Sequence, residues 1–298
     1  MTAPVIPLAN QLDPIPRRPM GRMLRAARII HPFPTLLNVA ATAALACVAV
    51  RGVPAAGVLA RMLVLMLCAQ SAIGITNDYF DRDLDAVTKP WKPIAAGLVA
   101  PAAAAVAALV LTVASTAIAL TLGLASFALV MLGLACGLAY DARLKRTVLS
   151  AVPYMVAIPT LPLWVWLTMG EWRDALWWLL PLGALTGFAL HLANTLPDID
   201  GDRAHGVSGL AHRLGARRSM YAGWASFGAA LGLSALLAPF LAYDLRVYVP
   251  AAAVGAGCLA ASIGLYLLRR DAAALQFGFG ALGVGAAVLA AGWLGAVG

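Results

Sequence analysis

Two short acidic stretches hold the residues whose types and spacing could do chemistry. The first reads Asn77, Asp78, Tyr79, Phe80, Asp81, Arg82, Asp83, Leu84, Asp85, and the second holds Asn194, Asp198, Asp200 and Asp202. On a helix, Asn77 or Asp78, Asp81 and Asp85 recur every three or four residues and share one face, as do Asn194, Asp198 and Asp202. Carboxylates gathered that closely cannot all stay ionised without a cation between them. A hard divalent ion that takes oxygen ligands, keeps several waters and shares a phosphate suits the array, which points to Mg2+ bridging to a diphosphate. Basic residues follow: Lys89 and Lys92 after the first face, Lys145 and Arg146 farther on, Arg203 and Arg213 after the second. They form a second layer able to take up charge on a leaving diphosphate. Asp13, Asp83, Asp141 and Asp200 read as caps or solvated loop residues. His31, His191, His205 and His212 have no ligand spacing, and His191 reads as a packed, hydrogen-bonded histidine.

The elements that position these residues follow from composition. Of 298 residues only 11% are charged, against about 25% in an average soluble domain. The apolar share is 62%, which excludes a disordered chain and argues against a soluble one. Nine apolar segments lie near 33–50, 58–77, 100–121, 123–140, 150–169, 175–196, 219–240, 247–268 and 272–297, each long enough to be a membrane helix. The first is preceded by Arg17, Arg18, Arg22, Arg25 and Arg28 and is longer than a cleaved signal peptide requires. With the amino terminus inside, only Arg51, Arg61, Arg173 and Arg246 of the 21 basic residues fall outside, the asymmetry that orients membrane proteins. The amino terminus and both acidic stretches are therefore expected on the cytoplasmic side of the cell membrane. The net charge of +8 is spread between apolar segments, not gathered on one face as nucleic-acid binding demands, so no nucleic-acid partner is expected. Cys47, Cys68, Cys136 and Cys258 sit in apolar runs and read as packing residues.

The expected architecture is an all-α integral membrane protein: one domain over residues 1–298, with 1–30 a basic cytoplasmic segment and nine transmembrane helices around a central cavity. Pro197 is expected to kink the sixth segment beside that cavity. The long inward loops after the second and sixth segments are expected to fold over the site as a partial lid. Trp164, Trp166, Trp177 and Trp178 are expected mostly in the outer aromatic belt. Tyr79, Tyr140, Tyr154 and Phe188 are candidate aromatic faces on the inward halves of helices.

At these residues the chain resembles the UbiA superfamily of intramembrane prenyltransferases, whose hallmarks are NDxxDxxxD after the second helix and DxxxD after the sixth. Asn77, Asp78, Asp81 and Asp85 match the first, Asp198 and Asp202 the second. The segment Lys89, Pro90, Trp91, Lys92, Pro93, Ile94 is similar to the family's KPxRPI, with Lys92 where Arg is usual. Tyr140 with Lys145 and Arg146 resembles its Tyr and basic pair after helix four. The resemblance implies that Asp78, Asp81, Asp85, Asp198 and Asp202 hold two Mg2+, with Asn77 and Asn194 orienting the diphosphate. It implies partners too: a prenyl diphosphate, the lipid bilayer, and a small lipophilic acceptor, aromatic or otherwise electron-rich. Two other readings stand beside transfer: a terpene cyclase of the same superfamily, and a transporter of divalent cations or polyprenyl phosphates.

Overall fold

The computed structural model describes residues 19–199, 208–269 and 271–297. A short α1 (Pro19–Ala26) leads through a 3-10 turn (Ala27–Ile30) into α2 (Pro32–Ala49), α3 (Ala56–Thr88), α4 (Pro101–Thr121), α5 (Leu124–Ala142), α6 (Val152–Met169) and α7 (Leu179–Thr195). A short α8 (Leu210–Leu214) precedes α9 (Ala216–Leu237), α10 (Leu245–Arg269) and α11 (Ala272–Ala296). Among the described residues nine helices are long and apolar enough to cross a membrane, and no strand is present. Helices are what such runs must form, because lipid offers backbone N–H and C=O groups no outside partner.

The long helices pack in sequence order, α2 on α3 through to α10 on α11, and α11 returns to α2 and α7, closing the bundle. Their borders follow the apolar segments except at two places. Helix α3 has 33 residues, roughly 50 Å at 1.5 Å per residue and longer than the ~30 Å hydrocarbon layer. It therefore carries the first acidic stretch on its own final turns. The sixth segment opens as a 3-10 turn, Asp174–Trp178. Pro197 does not kink a continuing helix: α7 stops at Thr195 and Pro197 lies in a 3-10 turn, Leu196–Asp198, because proline cannot donate the next helical bond.

The tryptophans divide. Trp177 and Trp178 are exposed, but Trp164 and Trp166 are each only 2% exposed and belong to the core, contrary to the belt expectation. Trp164 Nε1 donates to Ser126 Oγ on α5 at 2.7 Å, and a buried partner for the indole is what draws it inward.

Helices α6 and α7 approach through small residues. Any Cβ at Gly187 would overlap the Tyr154 carbonyl oxygen, and one at Gly183 would strike Pro159. Gly187→Ala is expected to destabilise the protein by about 1–3 kcal/mol through forced backbone separation. The check is the thermal midpoint in detergent followed by tryptophan fluorescence; an unchanged midpoint would mean the two helices move apart freely.

Candidate active site

Three segments converge on the acidic turns of α3. The chain after α3 doubles back through Pro90 and Pro93, with Lys92 N–H donating to Lys89 O at 3.0 Å and Ala96 N–H to Lys92 O at 2.8 Å. Gly97 takes φ +68°, a conformation that costs glycine little. Ile94 anchors the return in a small core with Ile29, Ile75 and Ala104. Lys92 Nζ is thereby held 2.9 Å from Asp78 Oδ1 and 2.8 Å from Asp85 Oδ2. Asp78 and Asp85 are 1% and 4% exposed, so the shared ammonium compensates both carboxylates at once. Burial alone would lower the Lys92 pKa; the hydrogen bonds and negative charge of Asp78 and Asp85 outweigh it and hold it above the ordinary lysine value.

The second segment follows α5, where a 3-10 turn, Leu144–Arg146, sets Lys145 Nζ 2.6 Å from Asp81 Oδ2 and Arg146 Nη2 3.3 Å from Asp81 Oδ1. The third precedes α2. His31 caps that helix in the left-handed region, φ 50°, and Pro32 follows at its first position. The His31 ring lies against Gly74, where an added Cβ would come within 3.2 Å of it, and Nε2 reaches Asp78 Oδ1 at 2.9 Å. Every carboxylate of the α3 face thus meets a cationic or ionisable group brought by another segment. Asp83 points away as the periodicity predicts: its side chain is 90% exposed, with Arg82 at 3.8 Å.

Asn77 donates from Nδ2 to Asp141 Oδ1 at 3.0 Å. Asp141 is 4% exposed and its Oδ2 has no hydrogen-bond partner, so the reading of Asp141 as a solvated helix-end residue is corrected. The α5–α3 contact buries it, a neighbour that sequence spacing could not reveal.

Asn194, exposed at the end of α7, donates to Tyr154 OH at 3.1 Å. The rings of Tyr140 and Tyr154 meet edge to face at 5.4 Å, with His191 5.2 Å from Tyr154 and 6.0 Å from Tyr140. His191 is packed and bonded to Ser150 Oγ at 3.0 Å, as expected. Of the other candidate aromatics, Tyr79 lies under Arg82, 4.9 Å from its ring centroid, and Phe188 packs on Leu192, Ile199 and Ala211. The segment before α8 docks on the Lys145 turn: Ser208 Oγ donates to Arg146 O at 3.2 Å and Leu210 N–H to Ser150 Oγ at 3.0 Å. Arg213 is exposed and donates to Ser208 O at 3.4 Å. Lys89 caps α3, its N–H bonded to Asp85 O at 2.8 Å. The Asp198 side chain, Asp202 and Arg203 lie outside the described residues.

The structure thus pairs Asp78 and Asp85 with Lys92, Asp81 with Lys145 and Arg146 and Asn77 with Asp141, and sets Tyr140 and Asn194 about Tyr154. Sequence reasoning missed His31 and Asp141. No local sequence signal marked either: the left-handed backbone of His31 before Pro32 is visible only in the structure.

Among the described residues no three carboxylate, histidine or cysteine side chains form a ready metal cage. The donor set nevertheless fits a hard cation shared with phosphate, which takes one or two protein carboxylates and keeps its remaining positions for other oxygens. Oxygens of Asp78 and Asp85 already converge on one cation, the Lys92 ammonium, at 2.8–2.9 Å.

Comparison with known proteins identifies the fold and the family. A digeranylgeranylglyceryl phosphate synthase of Methanoregula boonei is 32% identical over 192 residues, 62% of this chain and 66% of that protein. The chain spans less than two thirds of the length of the curated relatives it matches first. A structure of a digeranylgeranylglyceryl phosphate synthase superposes with a TM-score of 0.73 at 13% identity, covering 93% of this chain and 98% of that one. A UbiA homologue of Archaeoglobus fulgidus bound to GPP and Mg2+ superposes with a TM-score of 0.65 at 16% identity, covering 89% and 99%. At such identities these likenesses carry the fold. The sequence profile of the UbiA prenyltransferase family matches residues 37–295, and the chain belongs to that family.

Proposed function

We propose that the protein transfers a prenyl group, with Mg2+, from a prenyl diphosphate to a lipophilic acceptor inside the membrane. The observation that carries this reading is the α3 face, whose three carboxylates are each held by a group from another segment. In this reading Asp78, Asp81 and Asp85 supply oxygen ligands, and Asp198 and Asp202 supply the rest from the second motif. When bound, Mg2+ would offset charge on the departing diphosphate and lower the barrier to its loss. Lys92, Lys145 and Arg146, released from the carboxylates, close on the diphosphate oxygens, Lys89, Arg203 and Arg213 add further positive charge, and Asn77 and Asn194 fix its orientation. The allylic C–O bond breaks with its electron pair leaving on diphosphate. The Tyr140 and Tyr154 faces shield the allylic cation from water. An electron pair of the acceptor forms the new bond, and the acceptor then loses its proton.

The relatives' name supports a glyceryl phosphate lipid as acceptor over the aromatic ring that the motifs alone led us to expect. The crowding of basic residues around the α3 face supports a cytoplasmic site. The test incubates the purified full chain in detergent with Mg2+, labelled geranylgeranyl diphosphate, and either geranylgeranylglyceryl phosphate or 4-hydroxybenzoate. The expected result is labelled lipid product with the glyceryl phosphate. A cyclic hydrocarbon formed without acceptor, or no diphosphate release with either acceptor, would overturn the reading.

A further inference from the structure

Asp141 belongs to neither acidic motif, yet it is as buried as the motif carboxylates Asp78 and Asp85. One oxygen accepts from Asn77 Nδ2 at 3.0 Å and the other has no hydrogen-bond partner. Lys145 and Asp81 lie within electrostatic reach. Leaving a buried carboxylate oxygen unpaired is costly, so the position is not one that packing alone would choose. The chemistry of the pair is one-way. An ionised carboxylate can only accept, so the Asn77 amide must turn its NH2 toward Asp141. Asn77 and Asp81 are one helical turn apart on a shared face of α3, and with an N–H committed to Asp141 the amide oxygen is the atom turned away from that carboxylate.

We propose that Asp141 is a positioning residue that locks the Asn77 amide, so that its oxygen and not its NH2 is offered to the cation held by Asp81. The inference rests on the metal-dependent reading above and adds a carboxylate from α5 that supports the site without joining the motifs. It also turns Asn77 from a diphosphate donor into an oxygen donor for the cation.

The test measures Mn2+ binding to the full chain in detergent by electron paramagnetic resonance, with inorganic pyrophosphate present and no turnover. Groups that orient a metal's neighbours typically contribute 10–100-fold to affinity, so Asp141→Asn and Asp141→Leu are each expected to weaken Mn2+ by about tenfold. In the first variant the new amide can donate as well as accept, which frees Asn77 to turn over. The exchange Asn77→Asp with Asp141→Asn restores a one-way bond in reverse and still presents an oxygen, so it is expected to recover affinity to within about threefold. A purely structural role would lower the metal-free thermal midpoint and leave Mn2+ affinity of the folded protein unchanged. Unchanged affinity in Asp141→Asn, or an exchange variant as weak as the single one, overturns the proposal and leaves the metal site standing. Failure of the unaltered protein to bind Mn2+ with pyrophosphate overturns both. The near-isosteric Asp141→Asn carries the test should Asp141→Leu not fold.

Discussion

Asp81→Ala is expected to cut diphosphate release by about 10²–10³-fold, the scale reached when one preorganised charge-stabilising group is removed. Asp81 is the carboxylate on which both basic residues of the α5 turn converge, Lys145 at 2.6 Å and Arg146 at 3.3 Å. Its loss removes a metal oxygen and also frees the two cations that would meet the diphosphate. Asp81→Asn separates these effects. The amide still accepts from Lys145, so the turn after α5 stays in place, but the anionic oxygen is gone. The asparagine variant is expected to lose as much activity as the alanine variant while its metal-free thermal midpoint stays near that of the unaltered protein. Asp83→Ala is the control: the side chain is 90% exposed and off the shared face, and activity should change by less than about twofold. Phosphate released after pyrophosphatase treatment provides the readout. Near-normal release from Asp81→Asn would remove Asp81 from the metal site.

What the sequence made legible was what depends on local periodicity. Nine apolar runs became nine long helices among the described residues, because each had to satisfy its backbone internally. The three-and-four spacing of Asp78, Asp81 and Asp85 placed them on one face because α3 outlasts its apolar stretch, and Asp83 fell off that face for the same reason. Lys92 and Lys145 were legible by charge as a second layer for the diphosphate, but their direct pairing with Asp78, Asp85 and Asp81 was not. His31 was illegible: it lies 47 residues before Asp78 and reaches it only because α2 packs on α3 beside Gly74. Asp141 was illegible likewise, since an aspartate at a helix end reads as solvated until the neighbouring helix is known. The tryptophans failed for a third reason. Hydropathy places Trp164 and Trp166 at a membrane border, and only the hydroxyl of Ser126 on another helix explains why the indole of Trp164 turns inward.

Lys92→Met is expected to produce the other large effect, on stability before catalysis. Its ammonium is the shared partner of Asp78 and Asp85, and His31 reaches only Asp78. Removing one member of a buried charge cluster commonly costs about 3–5 kcal/mol, because the remaining charge is left uncompensated. The metal-free variant should therefore melt well below the unaltered protein in EDTA. Magnesium should reverse the ranking of the responses. In the unaltered protein a divalent ion must displace a tethered ammonium, so Mg2+ alone stabilises little, and pyrophosphate must be present to take the lysine before the metal can settle. Metal and diphosphate then bind with a coupling on the order of 1–3 kcal/mol. In Lys92→Met the two carboxylates are open, so Mg2+ alone should raise the thermal midpoint strongly, and added pyrophosphate should contribute little because its lysine is missing. Diphosphate release should nonetheless be slower, since the freed cation that stabilises the leaving group is gone. Equal midpoints in EDTA, or Mg2+ affinity in the unaltered protein that does not depend on pyrophosphate, would show that the ammonium between Asp78 and Asp85 is a static brace and not the group exchanged for the metal.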